Sequence, residues 1–279
     1  MKRGGTTGST PIAWLAAISL WAVPSFVNAA TRIVVTVVEP KSGKPVLGLN
    51  AADFSVFEDR APKRVDSAEF VTPAVDVMLL LDTSLAGPAV APLAGNLIAQ
   101  LGAKEQMALV AFHSSADLIQ DFTSSRELLS RALGSVKFGN TPRVLDAVYA
   151  AIDSGFGNSS FRRTILLLTA GLEGDSRVRE QDVVRLARRN GVSIFPVYVG
   201  GRERAMFDLL ARQTGGASFN IRDMQKASGK EAAAQPGPVI FEILRAHYVL
   251  TVPGNLSLGE KVRIEVRRPE KLFVSALPE

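Results

Sequence analysis

Val75-Asp76-Val77-Met78-Leu79-Leu80-Leu81-Asp82-Thr83-Ser84-Leu85-Ala86-Gly87 is an apolar run, broken by one Asp, that stops abruptly in a polar turn. A strand covered on both faces reads this way, because no solvent-facing position alternates with the apolar ones. A second run, Thr164-Ile165-Leu166-Leu167-Leu168-Thr169, ends in Ala170-Gly171 and passes into the polar loop Glu173-Gly174-Asp175-Ser176. Two such strand ends side by side define a binding crevice at the carboxyl edge of a sheet.

Outward from these runs the hydrophobic period changes repeatedly. Val90, Leu93, Ala94, Leu97, Ile98 and Leu101 recur at helical spacing behind Gly87-Pro88, where Pro suits a first helical turn. Helices are also predicted over 125–134, 143–155, 179–190 and 203–213, with strands at 107–112, 118–122, 164–169, 192–199 and 217–221 between them. Alternation of this kind specifies an α/β fold: a doubly wound, mainly parallel sheet with helices on both faces. The flanks are different. Residues 32–38, 54–57 and 63–70 have strand character with Glu58-Asp59-Arg60 as a turn, and the end returns to strands at 247–252, 262–266 and 272–274, after a connection at 232–238 and a short helix near 239–246. Neither flank has enough strands to be stable alone, so the two termini are expected to meet in one small β-sandwich beside the central domain.

The two strand ends resemble the von Willebrand factor type A domain. In that family an apolar strand runs into Asp-x-Ser-x-Ser, a later loop supplies a Thr, and another apolar strand runs into Thr-Asp-Gly. Asp82 and Ser84 match the first two positions, Ala86 stands at the second Ser, Thr141 is the loop Thr, and Ala170 replaces the Asp. Asp146-Ala147 begins five residues after Thr141, where the family has four. The resemblance spans about residues 73–222. It also extends to a bacterial group of exported proteins in which such a domain sits between short β segments.

What the resemblance implies is a Rossmann-like fold and a metal-ion-dependent adhesion site, holding Mg²⁺ or a similar hard cation that wants near-octahedral oxygen ligation. In this chain that site is degenerate. Asp82, Ser84 and Thr141 remain as ligands, and Glu173 and Asp175 are available substitutes; with one carboxylate and one hydroxyl lost, Mg²⁺ is expected to bind weakly and no cofactor to be required. The residues also carry a plainer reading: Thr83 and Ser84 satisfy loop backbone, and Thr141-Pro142 caps the following helix from its N-cap and N1 positions. The implied function is a non-catalytic module that binds a protein or another envelope macromolecule.

The amino terminus suggests where this happens. Lys2 and Arg3 precede an apolar stretch over 12–23, then Pro24 and the small-residue site Val27-Asn28-Ala29, the three-part layout of a signal peptide cleaved after Ala29. The apolar run is short of the roughly 20 residues a membrane span needs. The expected organisation is therefore a signal peptide over 1–29, a β segment over 30–72, the α/β domain over 73–246, and a β segment over 247–279 packing with 30–72, in a secreted or periplasmic protein.

Composition narrows the functional classes. Loss of the two charges of Lys2 and Arg3 takes the formal charge from +5 to +3, too mild to favour nucleic acid as a partner. Arg177, Arg179, Arg185, Arg188 and Arg189 lie opposite Val183, Val184, Leu186 and Ala187 on a helical wheel and read as a solvated face. The absence of Cys removes disulfides and thiolate metal sites. Among enzyme signatures there is no G-x-S-x-G elbow, H-E-x-x-H pair or phosphate-cradling Gly loop, and His113 and His247 stand alone, within or beside strands. A small-ligand-binding or hydrolytic α/β enzyme using the crevice is the competing class, since alternation alone fits it equally.

Overall fold

The computed structural model describes residues 1, 29–40, 42–157, 161–227, 236–256 and 262–278. Residues 2–28 of the expected leader and 232–235 of the expected connection lie outside the described residues.

In chain order, strands β1 (Ala30–Val38), β2 (Phe54–Glu58), β3 (Ala61–Lys63) and β4 (Ser67–Val71) come first. The central run follows: β5 (Val75–Asp82), α1 (Ala91–Ile98), β6 (Gln106–Phe112), β7 (Ala116–Thr123), α2 (Arg126–Gly134), α3 (Val144–Ser154), β8 (Arg162–Thr169), α4 (Glu180–Arg189), β9 (Val192–Tyr198), α5 (Arg204–Gln213), β10 (Phe219–Asn220), α6 (Ile221–Ala227) and α7 (Gly237–Arg245). Strands β11 (His247–Pro253), β12 (Val262–Val266) and β13 (Phe273–Pro278) close the chain.

The central sheet has the order β10-β9-β8-β5-β6-β7, parallel except for the antiparallel edge pair β6–β7. Strand β5 lies in its middle, and the apolar run explains why. Val77, Leu79 and Leu81 enter one core with Ala94, Leu97 and Ile98 of α1, Leu129 of α2 and Ile240, Phe241, Ile243 and Leu244 of α7. Met78 and Leu80 enter the opposite core with Val144, Val148 and Ile152 of α3, Val183 and Ala187 of α4 and Phe207 and Leu210 of α5. Successive side chains of a strand point to opposite faces, so a strand with a core on each side has no position left for solvent. Each fully buried Leu or Val contributes on the order of 1.5–3 kcal/mol relative to exposure. The chain leaves β5 toward β6 on one side and returns to β8 on the other, which makes the carboxyl ends of β5 and β8 the switch point of the sheet.

The termini form two further antiparallel sheets, β13-β1-β11-β4 and β12-β2-β3. Strand β1 is inner in its sheet, with Ile33 opposite both Leu250 and Pro278. Ile33, Val35 and Val37 of β1, Phe54 and Val56 of β2, and Tyr248, Leu250 and Val252 of β11 share one core, with Val262 and Ile264 of β12 packed against it. That is a small sandwich built from both ends of the chain. Asp59 and Arg60, both at positive φ (49° and 71°), make the reversal between β2 and β3.

Two expected strands differ from what forms. The run 63–70 is two strands in two sheets: Arg64 Nε pairs with Asp66 Oδ1 at 2.6 Å and Asp66 N donates to Thr251 O at 2.8 Å, so the chain turns away from β2 and crosses to β11. The strand expected at 217–221 is only Phe219–Asn220, because Asn220 Oδ1 accepts from Arg222 N at 3.0 Å and Asp223 N at 3.3 Å and starts a helix there.

Two polar clusters join the regions. Arg162 Nη1 donates to Leu244 O at 3.0 Å and lies 3.2 Å from His247 Nδ1, while Nη2 donates to Ser193 Oγ and Gly215 O, each at 3.0 Å. Gly215 O also accepts from Thr36 Oγ1 of β1 at 2.8 Å. Burial, with the Arg162 charge beside it, pushes His247 down to about 3, so the ring is neutral. In the second cluster Arg245, at the end of α7, forms a fork onto Glu105, with Nε to Oε1 at 2.7 Å and Nη2 to Oε2 at 2.6 Å. Burial raises the Glu105 carboxyl, but the Arg245 guanidinium and the Gly102 N–H outweigh it and hold the group below its ordinary value.

Candidate functional site at the carboxyl ends of β5 and β8

Asp82 is the last residue of β5 and is 0% exposed. A carboxylate at such a position is costly unless its oxygens are hydrogen-bonded. Here the loops supply the donors: Oδ1 accepts from Ser84 N at 2.9 Å, and Oδ2 accepts from Thr169 Oγ1 at 2.9 Å and Ala170 N at 3.1 Å. The carboxylate thus staples the two central strand ends together. Ser84, also fully buried, accepts from Ala86 N through Oγ at 3.3 Å, and Thr83 Oγ1 donates to Phe112 O at 2.9 Å. Gly171 must be glycine: it has φ 96°, and a Cβ there would stand 2.9 Å from Gly200 N, where the β8 and β9 loops touch.

The third loop is the one between α2 and α3. Gly139 N donates to Thr83 O at 2.8 Å and Leu85 N to Asn140 O at 3.0 Å, so the backbone before Thr141 runs beside the Asp82 loop. Thr141 itself is exposed, and it is not the helix cap expected of Thr141-Pro142. The N-cap of α3 is Arg143, which makes no side-chain cap. Its neighbours cap the helix instead: Arg143 N donates to His113 O at 2.8 Å, Val144 N to Glu173 O at 3.2 Å, and Leu145 N to Glu173 Oε1 at 3.4 Å. Glu173 is therefore engaged at α3, and Asp175 is exposed. Asp146 Oδ1 accepts from Arg177 N at 2.8 Å and Val178 N at 2.9 Å, fixing the far side of the β8–α4 loop.

This donor set does not fit a hard divalent cation. The chain offers one carboxylate, already accepting three hydrogen bonds, and the buried hydroxyl of Ser84, those of Thr83 and Thr169 being donated to Phe112 O and Asp82, where Mg²⁺ asks for six oxygens. Ala86 and Ala170 present methyl groups at the positions where the resemblance calls for oxygens. Among the described residues, no three His, Cys, Asp or Glu side chains are grouped to hold a metal.

Several features of the site were not read from the sequence. Thr169 holds Asp82, and the only signal for it is a Thr closing an apolar strand. Three apolar side chains crown the loops: Leu85, 76% exposed, Phe138 and Leu172. Phe138 lies over the first loop, where a Cβ on Gly87 would stand 3.0 Å from its ring. Their signal is an apolar residue within an otherwise polar turn. Elsewhere, Arg185 and Arg189 of α4 are exposed while Val183, Val184 and Ala187 are buried, the solvated-face arrangement.

The von Willebrand factor type A domain profile matches residues 76–231. No curated protein matches the sequence. Among solved structures, proximal thread matrix protein 1 from the mussel byssus is similar at 16% identity and TM-score 0.53, over 76% of this chain and 51% of that one. The same mussel protein with a zinc-occupied MIDAS motif is similar at 14% identity and TM-score 0.51, over 70% of this chain and 50% of that one. The conserved hypothetical protein BatB from Bacteroides thetaiotaomicron matches at 16% identity and TM-score 0.46, over 60% of this chain and 98% of that one. At these identities the likeness is one of fold.

Proposed function

Given that the chain belongs to the von Willebrand factor type A domain family, whose members are generally non-catalytic interaction modules, we propose that it is an exported protein-binding module whose partner contact needs little or no metal. The observation that carries this reading is the state of Asp82. In a metal-bridged contact the site's carboxylates point their oxygens at the ion; here both oxygens of the buried carboxylate are taken by donors of its own loops. What the same loops offer outward is apolar: Leu85, Phe138 and Leu172. Exposed apolar side chains held on a fixed scaffold favour a desolvated protein contact.

Export rests on the leader-like layout of residues 1–29. The competing enzyme reading gains no support at this end of the sheet, since the nearby carboxylates of Glu173 and Asp146 are engaged with backbone N–H groups.

The test is affinity capture of envelope proteins by the full chain, in Mg²⁺ and in a chelator, set against the double variant Leu85→Asp with Phe138→Asp. The expected outcome is a specific partner retained in the chelator and lost in the double variant, the folding of that variant being verified by its melting temperature. Capture that disappears on chelation and survives the double variant would overturn the reading.

A further inference from the structure

The opposite end of the central sheet holds a cavity of about 680 Å³, within the range of small-molecule sites. Its walls come from the amino ends of β5 and β6, from β7, and from the last turns of α3. It owes its shape to two local irregularities. The first is a bulge: the β6–β7 register runs from Met107 opposite Thr123 to Leu109 opposite Gln120, so two steps on β6 meet three on β7. Adjacent residues of a regular strand face opposite sides, yet Asp121 and Phe122 both line the cavity, which is the re-aiming that a bulge produces. The second is Gly155 at the end of α3. A Cβ there would stand 2.3 Å from the Ala151 carbonyl oxygen and 2.3 Å from the Met78 methyl, so glycine lets the helix end close over Met78 in the floor.

The lining has a distinct chemistry. Apolar walls are given by Met78, Val110 and Phe122, and Leu118, 59% exposed, stands at the mouth. Asp76 and Asp121 contribute two carboxylates, and no Lys, Arg or His is among the described lining residues. Asp76 is 4% exposed and accepts from Phe161 N through Oδ2 at 3.2 Å; Asp121 is exposed and accepts from Phe122 N through Oδ1 at 2.7 Å. Asp76 and Asp121 are the charged side chains among the described lining residues, and Arg163 stands opposite Asp76 on the neighbouring strand β8.

We infer that this cavity binds a small organic ammonium ligand, its cation toward Asp76 and Asp121 and its apolar body against Met78, Val110 and Phe122. Opposite charge selects the head group, the aromatic ring of Phe122 adds cation–π attraction, and the apolar walls exclude a fully hydrated metal ion or simple salt. The site is independent of the carboxyl-end loops and of their proposed partner.

The test is calorimetric titration of the full chain with phenylbutylamine and with its anionic counterpart phenylbutyrate. Saturable binding of the amine and none of the acid is expected. Asp121→Asn, on an exposed side chain that leaves folding intact, should weaken the amine by about tenfold or more, the loss of one charge-assisted contact. Ala150→Trp, which fills the cavity from the exposed face of α3, should abolish it. No amine binding at millimolar concentration, equal binding of amine and acid, or amine binding untouched by Asp121→Asn would each overturn the inference.

Discussion

The central sheet and the terminal sandwich are made of similar residues but assembled on different scales of the chain. In the central sheet most strands join a neighbour through one helix, and both faces are buried by the helices that intervene. In the sandwich, β1 has neighbours only from the far end: Thr31 Oγ1 bonds to Gly254 O across 223 residues. The central region can close its contacts as it is made, whereas the sandwich waits for loop closure over nearly the whole chain. Stability in the first is local and redundant; in the second it is shared between the ends, and either end can forfeit it.

The largest expected effect breaks that sharing outright. Deleting residues 247–279 removes both neighbours of β1, the partner of β4 and the outer partner of β2. Amides of residues 33–38 and 54–57 should then lose hydrogen-exchange protection completely, while β5 and β8 keep theirs. Persistent protection of residues 33–38 would mean that the sandwich does not depend on its second half.

Next in size is the clamp at the end of α7. Glu105 keeps only 4% of its side-chain surface exposed, so Arg245→Ala leaves a buried carboxylate without its guanidinium and should cost about 3–5 kcal/mol. Denaturant titration checks this. A loss below about 1 kcal/mol, the range of an exposed ion pair, would show that the clamp is not what holds α7 to the loop after α1.

The junction at His247 should make stability pH-dependent. Its folded value, about 3, lies below the ordinary 6.5, so between these limits the unfolded chain binds a proton that the folded chain refuses. This contribution is full above 6.5 and is lost as pH falls, at about 1.4 kcal/mol per unit, or about 2 kcal/mol by pH 5. Stability of His247→Gln, followed over the same range, should be flatter by that amount. Parallel curves would remove His247 from the account.

The smallest effect belongs to the carboxyl-end loops. Ala170→Asp with Ala86→Ser restores a second carboxylate and a second hydroxyl beside Asp82 and Ser84. With Mg²⁺ at ten times its Kd the double variant should gain about 1.4 kcal/mol, a small upward shift in Tm, while the wild type shows little change. A wild-type shift abolished by Glu173→Ala or Asp175→Ala would show that the neighbouring acids serve as ligands. A double variant indifferent to Mg²⁺ would mean that restoring oxygens at these two positions does not rebuild a site.

What the sequence discloses follows the same division. The apolar run into Asp82 names a central strand and its polar end at once, because burial on both faces leaves an unmistakable pattern. Helix α3, expected over 143–155, forms over Val144–Ser154, yet its cap is not legible. Thr141-Pro142 has the form of a local cap, but His113 and Glu173, distant in sequence, supply the acceptors and the helix begins after Arg143. The bulge at Asp121 and Phe122 leaves no trace, since no Gly or Pro punctuates Gln120-Asp121-Phe122-Thr123. In the flank, the break between β3 and β4 is decided by Asp66 N meeting Thr251 O, a partner that composition cannot identify.

The register of β1 also fixes how the molecule carries tension. Ile33 lies opposite Pro278, and Val38 opposite Phe273, so residues 30 and 278 lie at the same end of the sheet. Force applied through segments joined at residues 30 and 278 would load the β1–β13 hydrogen bonds one after another, as a zipper opens, and not all together in shear. Loaded in this way, the β1–β13 seam is expected to part before the central sheet, whose strands are buried on both faces.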